Sequence, residues 1–314
     1  ITEIANTTSR PDKFIGIHFF NPPQLMKLVE VIPGEKTSQE ITEMTQEFVK
    51  SVNKQAVLCR KDVPGFIINR LFIPMVHEAC YLQDRTGATL EEIDSAVKFK
   101  LGFPMGIFEL ADFTGMDVIH KATVEMHLRD KKVINPHSTV EKMFDEKKLG
   151  QKSGEGYYKY SDDKYERVEL SEELAEKCNP IQLVANILNN AAWLITNGAS
   201  DIEEIEKACK LGLGLRKPLF ETAKEIGIKV KLINVNIYTS GSKYEFNRFI
   251  QTIKTIKNTF IQIFKFARLK KKYVVCYFLK DPKSTKSKSR LREDLPNEFV
   301  NEINESLLEI ITSS

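Results

Sequence analysis

An internal repeat constrains the fold of this chain more than any other feature of its sequence. The segment from Glu91 to Lys98 returns, with conservative changes, as the segment from Glu203 to Lys210, an offset of 112 residues. The same offset aligns further pairs: Leu101-Gly102 with Leu213-Gly214, Phe108-Glu109 with Phe220-Glu221, Ala111 with Ala223, and Gly115 with Gly227. Because apolar residues recur at three- and four-residue spacing from residue 66 to residue 130, we predict two similar helical domains, at 63–160 and 171–228.

The first 62 residues have a different pattern. Short apolar runs predict strands at about 14–20, 27–32 and 55–60, and a helix capped by Ser38 lies before the last of them. Pro64-Gly65 marks the break between this part and the helical repeats. The predicted fold class is therefore mainly α with a small α/β part.

Composition is typical of a globular protein, with 42% hydrophobic and 28% charged residues in a chain of 314. The sequence has no apolar run of the roughly 20 residues that a membrane-spanning helix needs, and its first residues, Ile1-Thr-Glu-Ile-Ala, are not expected to form a signal peptide. The five cysteines are scattered without metal-ligand spacing, as expected for reduced thiols in a cytoplasmic protein. The chain begins without methionine and with a helical pattern, and we expect further sequence upstream.

Two polar residues interrupt the first two predicted strands. His18 lies between Ile17 and Phe19, and Glu30 lies twelve positions later in an equally apolar run. An antiparallel or adjacent pairing of these strands would bring the two side chains together. A carboxylate that accepts from one imidazole nitrogen leaves the other nitrogen free to act as a base. Spacing alone also allows a structural alternative, in which His18 is a core histidine whose hydrogen bonds are satisfied by a neighbour and Glu30 is a strand-end glutamate in water.

Other candidate residues carry weaker signals. Asn69, at the start of the first long helix, could donate to a substrate oxygen or serve as a capping residue. The glycine-rich segment 150–156 lacks the Gly-x-Gly-x-x-Gly spacing, and we interpret it as a turn packed against the other domain rather than a nucleotide loop. The remaining histidines show no metal-ligand spacing and predict no metal site: His77, His120, His127 and His137.

Five motifs in order make the chain resemble the 3-hydroxyacyl-CoA dehydrogenase family, over residues 1 to about 228. The motifs are His18-Phe-Phe-Asn-Pro, Lys27-Leu-Val-Glu-Val-Ile, Pro64-Gly-Phe-Ile-Ile-Asn-Arg, Gly102-Phe-Pro-Met-Gly-Ile-Phe-Glu-Leu, and Gly150-x-Lys-x-Gly-x-Gly-Tyr-Tyr. The resemblance implies the trailing edge of a Rossmann-type NAD-binding domain at 1–62. Two homologous helical domains of the 6-phosphogluconate dehydrogenase C-terminal-like type would follow it.

The resemblance also implies a reaction, the oxidation of 3-hydroxyacyl-CoA to 3-oxoacyl-CoA with NAD as cofactor. His18 would be the general base, Glu30 would orient it, and Asn69 would hydrogen-bond the reacting oxygen or hold the histidine in place. The family's phosphate loop and ribose-binding acid have no counterpart here, so no cofactor-binding residue is assigned, and an upstream NAD-binding segment or subunit is an expected partner. A homodimer is expected, whereas nucleic acid and membrane partners are not. The alternative is a non-catalytic remnant or interaction module that lacks the cofactor site.

Residues 229–314 form a basic, atypical tail, with 17 Lys and Arg against 8 Asp and Glu. Apolar residues from Phe246 to Ala267 recur at three- and four-residue spacing and predict an amphipathic helix with basic residues elsewhere on its surface. Such a helix could bind a membrane surface or acidic partner, or dock on its own protein. The segment could also derive from translation out of the original reading frame. The stretch 297–308 faintly resembles a helix of the crotonase family, as in a bifunctional enzyme cut short before a hydratase domain.

Overall fold

The computed structural model describes residues 1–161 and 164–225, followed by the strand segments 228–233, 253–256, 259–269 and 272–280. Residues 1–226 form one compact unit and residues 227–314 a second. The described helices are α1 (Thr2–Asn6), α2 (Gln39–Ser51), α3 (Ile68–Thr86), α4 (Leu90–Ser95), α5 (Ile107–Thr114), α6 (Met116–Arg129), α7 (Ser138–Asp145), α8 (Glu172–Glu176), α9 (Ile181–Thr196), α10 (Ile202–Gly212) and α11 (Leu219–Glu225). The described strands are β1 (Ile15–Phe19), β2 (Leu28–Pro33), β3 (Gln55–Leu58), β4 (Tyr160–Ser161), β5 (Lys164–Tyr165), β6 (Ile228–Ile233), β7 (Ile253–Ile256), β8 (Thr259–Leu269) and β9 (Lys272–Lys280). The helix-rich composition with a small sheet is as predicted.

The three predicted strands of the first 62 residues form one sheet in the order β1-β2-β3. β1 and β2 are antiparallel, and β2 and β3 are parallel. Successive side chains of a strand point to opposite faces, and β2 is buried on both. Val29 and Val31 pack with Val49 of α2 on one face, while Leu28 on the other lies against Gly212 of α10. Ser38 caps α2 by accepting from the Ile41 N–H, as predicted.

The two outer edges of this sheet differ. At β3, the Leu58 N–H donates to Glu204 Oε2 (3.0 Å) and Lys207 Nζ donates to the Ala56 carbonyl (2.7 Å). Side chains of α10 therefore satisfy backbone groups that an edge strand leaves unpaired. At β1, no strand lies beside the outer edge among the described residues. Ile17 and Phe19 of β1 are 38% and 41% exposed.

The sequence repeat reappears as a repeated set of hydrogen bonds. Thr89 caps α4 by accepting from a backbone N–H three residues on, and Asp201, at the offset of 112, caps α10 in the same way. Asp94 of α4 accepts from the Phe108 and Glu109 N–H groups at the start of α5. Its counterpart Glu206 in α10 accepts from the Leu219 and Phe220 N–H groups at the start of α11. In both copies a carboxylate on one helix satisfies N–H groups at the start of the next, which have no partner within that helix.

The equivalent long helices of the two copies, α3 and α9, pack on each other in antiparallel orientation. Arg70, near the start of α3, lies over the ring of Trp193, near the end of α9. Arg85, near the end of α3, donates to Gln182, near the start of α9, at 2.7 Å. These contacts, one at each end of the pair, are made only when the two helices run antiparallel.

The glycine-rich segment 150–156 forms a turn that packs on α5 and α6 of the same helical unit. Its packing against the other domain stays a prediction. The Asp112 carboxylate of α5 accepts from the Tyr157 and Tyr158 N–H groups and from the Tyr160 hydroxyl. A Cβ at Gly156 would lie 2.1 Å from Asp112 Oδ1, so only glycine allows this approach.

The predicted amphipathic helix of the tail is wrong where the structure describes it. Residues 253–256 and 259–269 are strands β7 and β8, in a sheet of order β6-β9-β8-β7. Isoleucine, phenylalanine, threonine and tyrosine fit a pleated surface, and β8 pairs with β9, which lies outside the window in which the helical spacing occurs. Phe246, Phe249, Ile250 and the stretch 297–308 lie outside the described residues. Among the described helices, none combines the length and apolarity needed to cross a bilayer.

We expect the substitution of Asp94 to destabilise the protein more than the equivalent substitution of Glu206. Asp94 is fully buried and also accepts from the Tyr158 hydroxyl, whereas Glu206 is only partly buried. Asp94→Asn turns an amide N–H₂ toward these donors and should lower the free energy of unfolding by about 1–3 kcal/mol. Glu206→Gln should lower it by less.

Urea unfolding followed by circular dichroism measures both losses. Glu203→Gln, at an exposed position, is the control and should stay within about 0.5 kcal/mol of the unmodified chain. An equal loss for Asp94→Asn and Glu203→Gln would contradict the structural role of this contact.

Candidate active site

The strand register brings His18 and Glu30 directly opposite each other. They are Cα partners in the antiparallel β1–β2 ladder, so their side chains point to the same face. His18 Nδ1 lies 2.6 Å from Glu30 Oε2. The pairing expected from their spacing is therefore present, while their catalytic role stays a prediction.

Glu30 is fully buried, and its carboxylate is held at both oxygens. Oε1 accepts from the N–H groups of Ile67 (3.0 Å) and Ile68 (2.8 Å), and Oε2 contacts His18. Ile68 is the first residue of α3, whose unpaired N–H groups and positive dipole end favour a negative charge. A buried carboxylate with this set of donors fits the ionised form, which can hold the Nδ1 proton of His18 and stabilise an imidazolium.

His18 is held on one side and open on the other. Its side chain is 29% exposed, and its ring contacts Phe20 at a centroid distance of 4.5 Å and Phe66 at 5.9 Å. With Nδ1 engaged by Glu30, Nε2 makes no hydrogen bond to the described residues. This arrangement fixes the tautomer with the proton on Nδ1 and leaves a lone pair on Nε2 that can accept a proton.

Asn69 is the second residue of α3, at the same helix end as the N–H groups that bind Glu30. Its side chain is partly exposed and forms no hydrogen bond with the described residues, so neither His18 nor Glu30 engages its amide. The structure places it at the end of the helix that faces the pair, and its predicted contact with a reacting oxygen stays a prediction.

Cys59 lies close to the buried carboxylate without being reactive. Burial raises the pKa of its thiol to about 12, and the charge of Glu30 adds to the rise. The thiol therefore stays protonated at neutral pH. Its Sγ donates to the Lys61 carbonyl at 3.2 Å, which is a structural contact.

The other four histidines lie together around α3, α6 and α7, away from His18. They line a cavity of about 260 Å³. His77 Nδ1 accepts from the His137 N–H and its Nε2 contacts the Thr123 hydroxyl. Within the described part of the chain, no three His, Cys, Asp or Glu side chains are grouped to hold a metal ion.

Sequence reasoning missed two contributors to the site. The backbone N–H groups of Ile67 and Ile68 have no signal in a single sequence, because any residue except proline supplies such a group. Arg70 follows Asn69 in the third motif, but a basic residue is normally exposed, and nothing in the pattern showed that Arg70 is only 1% exposed.

Two known protein-family models match most of the chain. The family model described as the NAD-binding domain of 3-hydroxyacyl-CoA dehydrogenase matches residues 1–63. The model for the C-terminal domain of the same enzymes matches twice, at residues 65–160 and 182–273. The second match runs past residue 228, where the resemblance seen in the sequence motifs ends.

Among relatives, the mitochondrial hydroxyacyl-coenzyme A dehydrogenase of Rattus norvegicus is 46% identical over 162 residues, 51% of this chain and 51% of that protein. A 3-hydroxybutyryl-CoA dehydrogenase of Clostridioides difficile is 42% identical over 163 residues, 51% of this chain and 57% of that protein. The chain thus spans about half the length of these relatives. The crystal structure of 3-hydroxybutyryl-CoA dehydrogenase from Escherichia coli K12 superposes with a TM-score of 0.60 at 26% identity, covering 72% of this chain and 66% of that one.

The Glu30 contacts predict a graded effect on stability. Glu30→Ala leaves two buried N–H groups without an acceptor and should lower the free energy of unfolding by about 2–4 kcal/mol. Glu30→Gln keeps one oxygen for these groups and should lose less than half as much. Urea unfolding measures both, and Glu40→Ala at an exposed position of α2 should change the value by about 0.5 kcal/mol or less. Equal losses for the first two variants would contradict the role assigned to Glu30 Oε1.

The buried His77 should make the stability of the folded protein depend on pH. Burial, with a smaller effect of His137, lowers the pKa of His77 to about 3. An unfolded histidine binds a proton below about pH 6.5, so between pH 6.5 and pH 3 the unfolded state binds more protons and stability falls as the pH falls. His77→Gln should remove about 2 kcal/mol of the loss between pH 7 and pH 5.

Urea unfolding at the two pH values measures this difference. His127→Gln, which replaces a partly exposed histidine of α6, is the control and should keep most of the pH dependence of the unmodified chain. An unchanged pH dependence in His77→Gln would show that folding does not lower the pKa of His77.

Proposed function

This chain belongs to the 3-hydroxyacyl-CoA dehydrogenase family, and we propose that it carries the proton-transfer residues of an NAD-dependent oxidation of 3-hydroxyacyl-CoA to 3-oxoacyl-CoA. The observation that carries the proposal is the 2.6 Å contact between His18 Nδ1 and the fully buried Glu30, which leaves Nε2 free. The names of the relatives from Rattus norvegicus and Clostridioides difficile support the reaction class.

In the proposed step His18 Nε2 accepts the proton of the substrate 3-hydroxyl group. The O–H bond breaks, the C3–O bond becomes a carbonyl, and the C3 hydrogen leaves as hydride. The imidazolium is stabilised by Glu30, whose charge is in turn held by the Ile67 and Ile68 N–H groups. In the reverse direction the same ring donates the proton. The partly exposed Asn69 amide is free to donate to the substrate oxygen.

The cofactor of this reaction is NAD, and when bound it accepts the hydride. The residues of this chain fit only the proton-transfer end of such a site. The sequence contains no Gly-x-Gly-x-x-Gly motif to bind a pyrophosphate. The match of residues 1–63 to an NAD-binding domain supports the cofactor, whereas the phosphate contacts require a polypeptide segment outside this sequence.

The open edge of β1 fits such a segment. α10 already engages the backbone at β3, whereas no described strand or helix side chain does so at β1, so β1 is the edge that favours an added strand. An added strand would lie next to the strand that carries His18. The NAD-binding segment or subunit expected as a partner would therefore be placed beside the proposed base.

The helical repeats fit two homologous domains of the 6-phosphogluconate dehydrogenase C-terminal-like type. The double match to one C-terminal domain model and the repeated carboxylate contacts support this assignment. The α3 surface is covered by α9 in the same chain, so the expected homodimer needs another surface. The homodimer and the cytoplasmic location stay predictions.

The test is NADH oxidation with acetoacetyl-CoA, on this chain alone and together with the remainder of the NAD-binding domain from a close relative. We expect activity only in the complemented sample. His18→Gln should lower kcat by about 10²–10⁴-fold, which is the usual contribution of general acid–base catalysis. His127→Gln, a histidine outside the site, should retain activity within about twofold.

Absence of activity in the complemented sample, with the chain folded by circular dichroism, would reject the dehydrogenase proposal. It would favour the alternative, a non-catalytic remnant or interaction module. Equal activity of His18→Gln and the unmodified chain would reject His18 as the base.

A further inference from the structure

The loop before α3 positions the N–H groups that bind Glu30, and its backbone is unusual. Gly65 and Phe66 both have positive φ angles, +78° and +47°. Glycine adopts this conformation readily, and a Cβ at Gly65 would lie 2.6 Å from Met126 Cε. Phenylalanine does not adopt it readily, so the loop needs contacts from outside to keep this shape.

Arg70 supplies two of these contacts. Its backbone N–H donates to the Gly65 carbonyl at 2.9 Å, and its Nη1 donates to the Pro64 carbonyl at 3.3 Å. Its side chain is 2% exposed, and Nη2 lies 3.5 Å from Asp130 Oδ2. Burial lowers the pKa of Arg70 to about 10, although Asp130 opposes the shift, so the guanidinium stays charged at neutral pH.

Trp193 of the second repeat completes the environment of this buried cation. The Arg70 Cζ atom lies 3.4 Å from the centroid of the Trp193 ring. A cation in this position is attracted by the π face of the ring, and more strongly where water is excluded. The stack also limits the rotamers of Arg70 and thereby the direction in which Nη1 points.

We propose that Arg70 and Trp193 are positioning residues of the site, through which the second helical repeat holds the His18–Glu30 pair. The contacts form one series, in which Trp193 stacks on the Arg70 guanidinium, its Nη1 donates to the Pro64 carbonyl, and the Ile67 and Ile68 N–H groups that follow bind Glu30. The second repeat then contributes to the geometry of the pair through this series of contacts. The catalytic consequence rests on the proposed function, whereas the positional coupling can be measured without it.

Amide hydrogen exchange of Ile67 and Ile68 in the full chain, followed by NMR, tests the coupling directly. Trp193→Leu should accelerate exchange at both amides by at least about tenfold, because the loop opens more often. Trp193→Phe keeps an aromatic face and should stay within about threefold. Gln182→Ala, which removes the α9–α3 contact at the opposite end of the same helix pair, is the matched control and should also stay within about threefold.

The chain contains a single tryptophan, so its fluorescence reports the stack itself. Arg70→Lys should alter Trp193 emission and accelerate exchange at Ile67 and Ile68, since an ammonium group cannot stack as the planar guanidinium does. In Trp193→Leu, the exchange rates at Ile67 and Ile68 are compared with the rate at Val49 of α2. If all three rates rise by the same factor, the proposal is overturned. An equal rise in Gln182→Ala would also overturn it, because it would indicate general loosening of the helix pair.

The complemented enzyme provides the catalytic readout. Trp193→Leu should lower kcat by at least about tenfold and shift the pH profile of kcat/KM, with KM changed by less than about threefold. Unchanged kcat and pH profile, in a variant whose Ile67 and Ile68 amides exchange faster, would overturn the catalytic part. An inactive unmodified enzyme would reject the proposed function, and the exchange rates would then decide the positional coupling by themselves.

Discussion

The buried carboxylate of Glu30 is the interaction on which the arrangement of the site depends. Its two oxygens take donors from different parts of the fold, since the His18 ring comes from the sheet and the Ile67 and Ile68 N–H groups come from the start of α3. A buried charge is stable only when its hydrogen-bonding capacity is used. Glu30 therefore couples the orientation of the helical unit to the orientation of the histidine. In the proposed reaction the same contact would also hold the Nδ1 proton of His18 while Nε2 exchanges a proton with the substrate.

The two helical repeats also use carboxylates that bind backbone N–H groups. In each copy a carboxylate on one helix binds the free N–H groups of the next helix, and these contacts set the angle between the two helices. The antiparallel pair α3 and α9 carries many buried apolar residues on both helices, within one chain. The Arg70–Trp193 stack lies at the end of this interface that is nearest to Glu30. Duplication of the helical unit thus adds support to the part of α3 that the site uses.

Local patterns in the sequence predicted those parts of the fold that depend on local periodicity. The strands, the Ser38 cap and the helices up to residue 129 follow their apolar spacing, and the antiparallel ladder follows from two short strands close in sequence. The pairing of His18 with Glu30 could be predicted as one outcome, because an antiparallel or adjacent pairing of consecutive strands brings their side chains together. The burial of Arg70 could not, because it depends on Trp193, which is more than a hundred positions away. The helix predicted in the tail was wrong for a related reason. β8 pairs with β9, which lies outside the stretch from Phe246 to Ala267 where the helical spacing occurs.

The two edges of the small sheet differ in whether another strand could pair with them. Unpaired edge groups invite association with other strands. α10 removes that option at β3 with one acceptor and one donor, Glu204 and Lys207, which match the N–H and carbonyl they meet. β1 keeps its free edge, and its exposed Ile17 and Phe19 lie on the face that packs on α2. Because His18 lies in that same strand, any segment that extends the sheet must place its chain next to the residue proposed as the base.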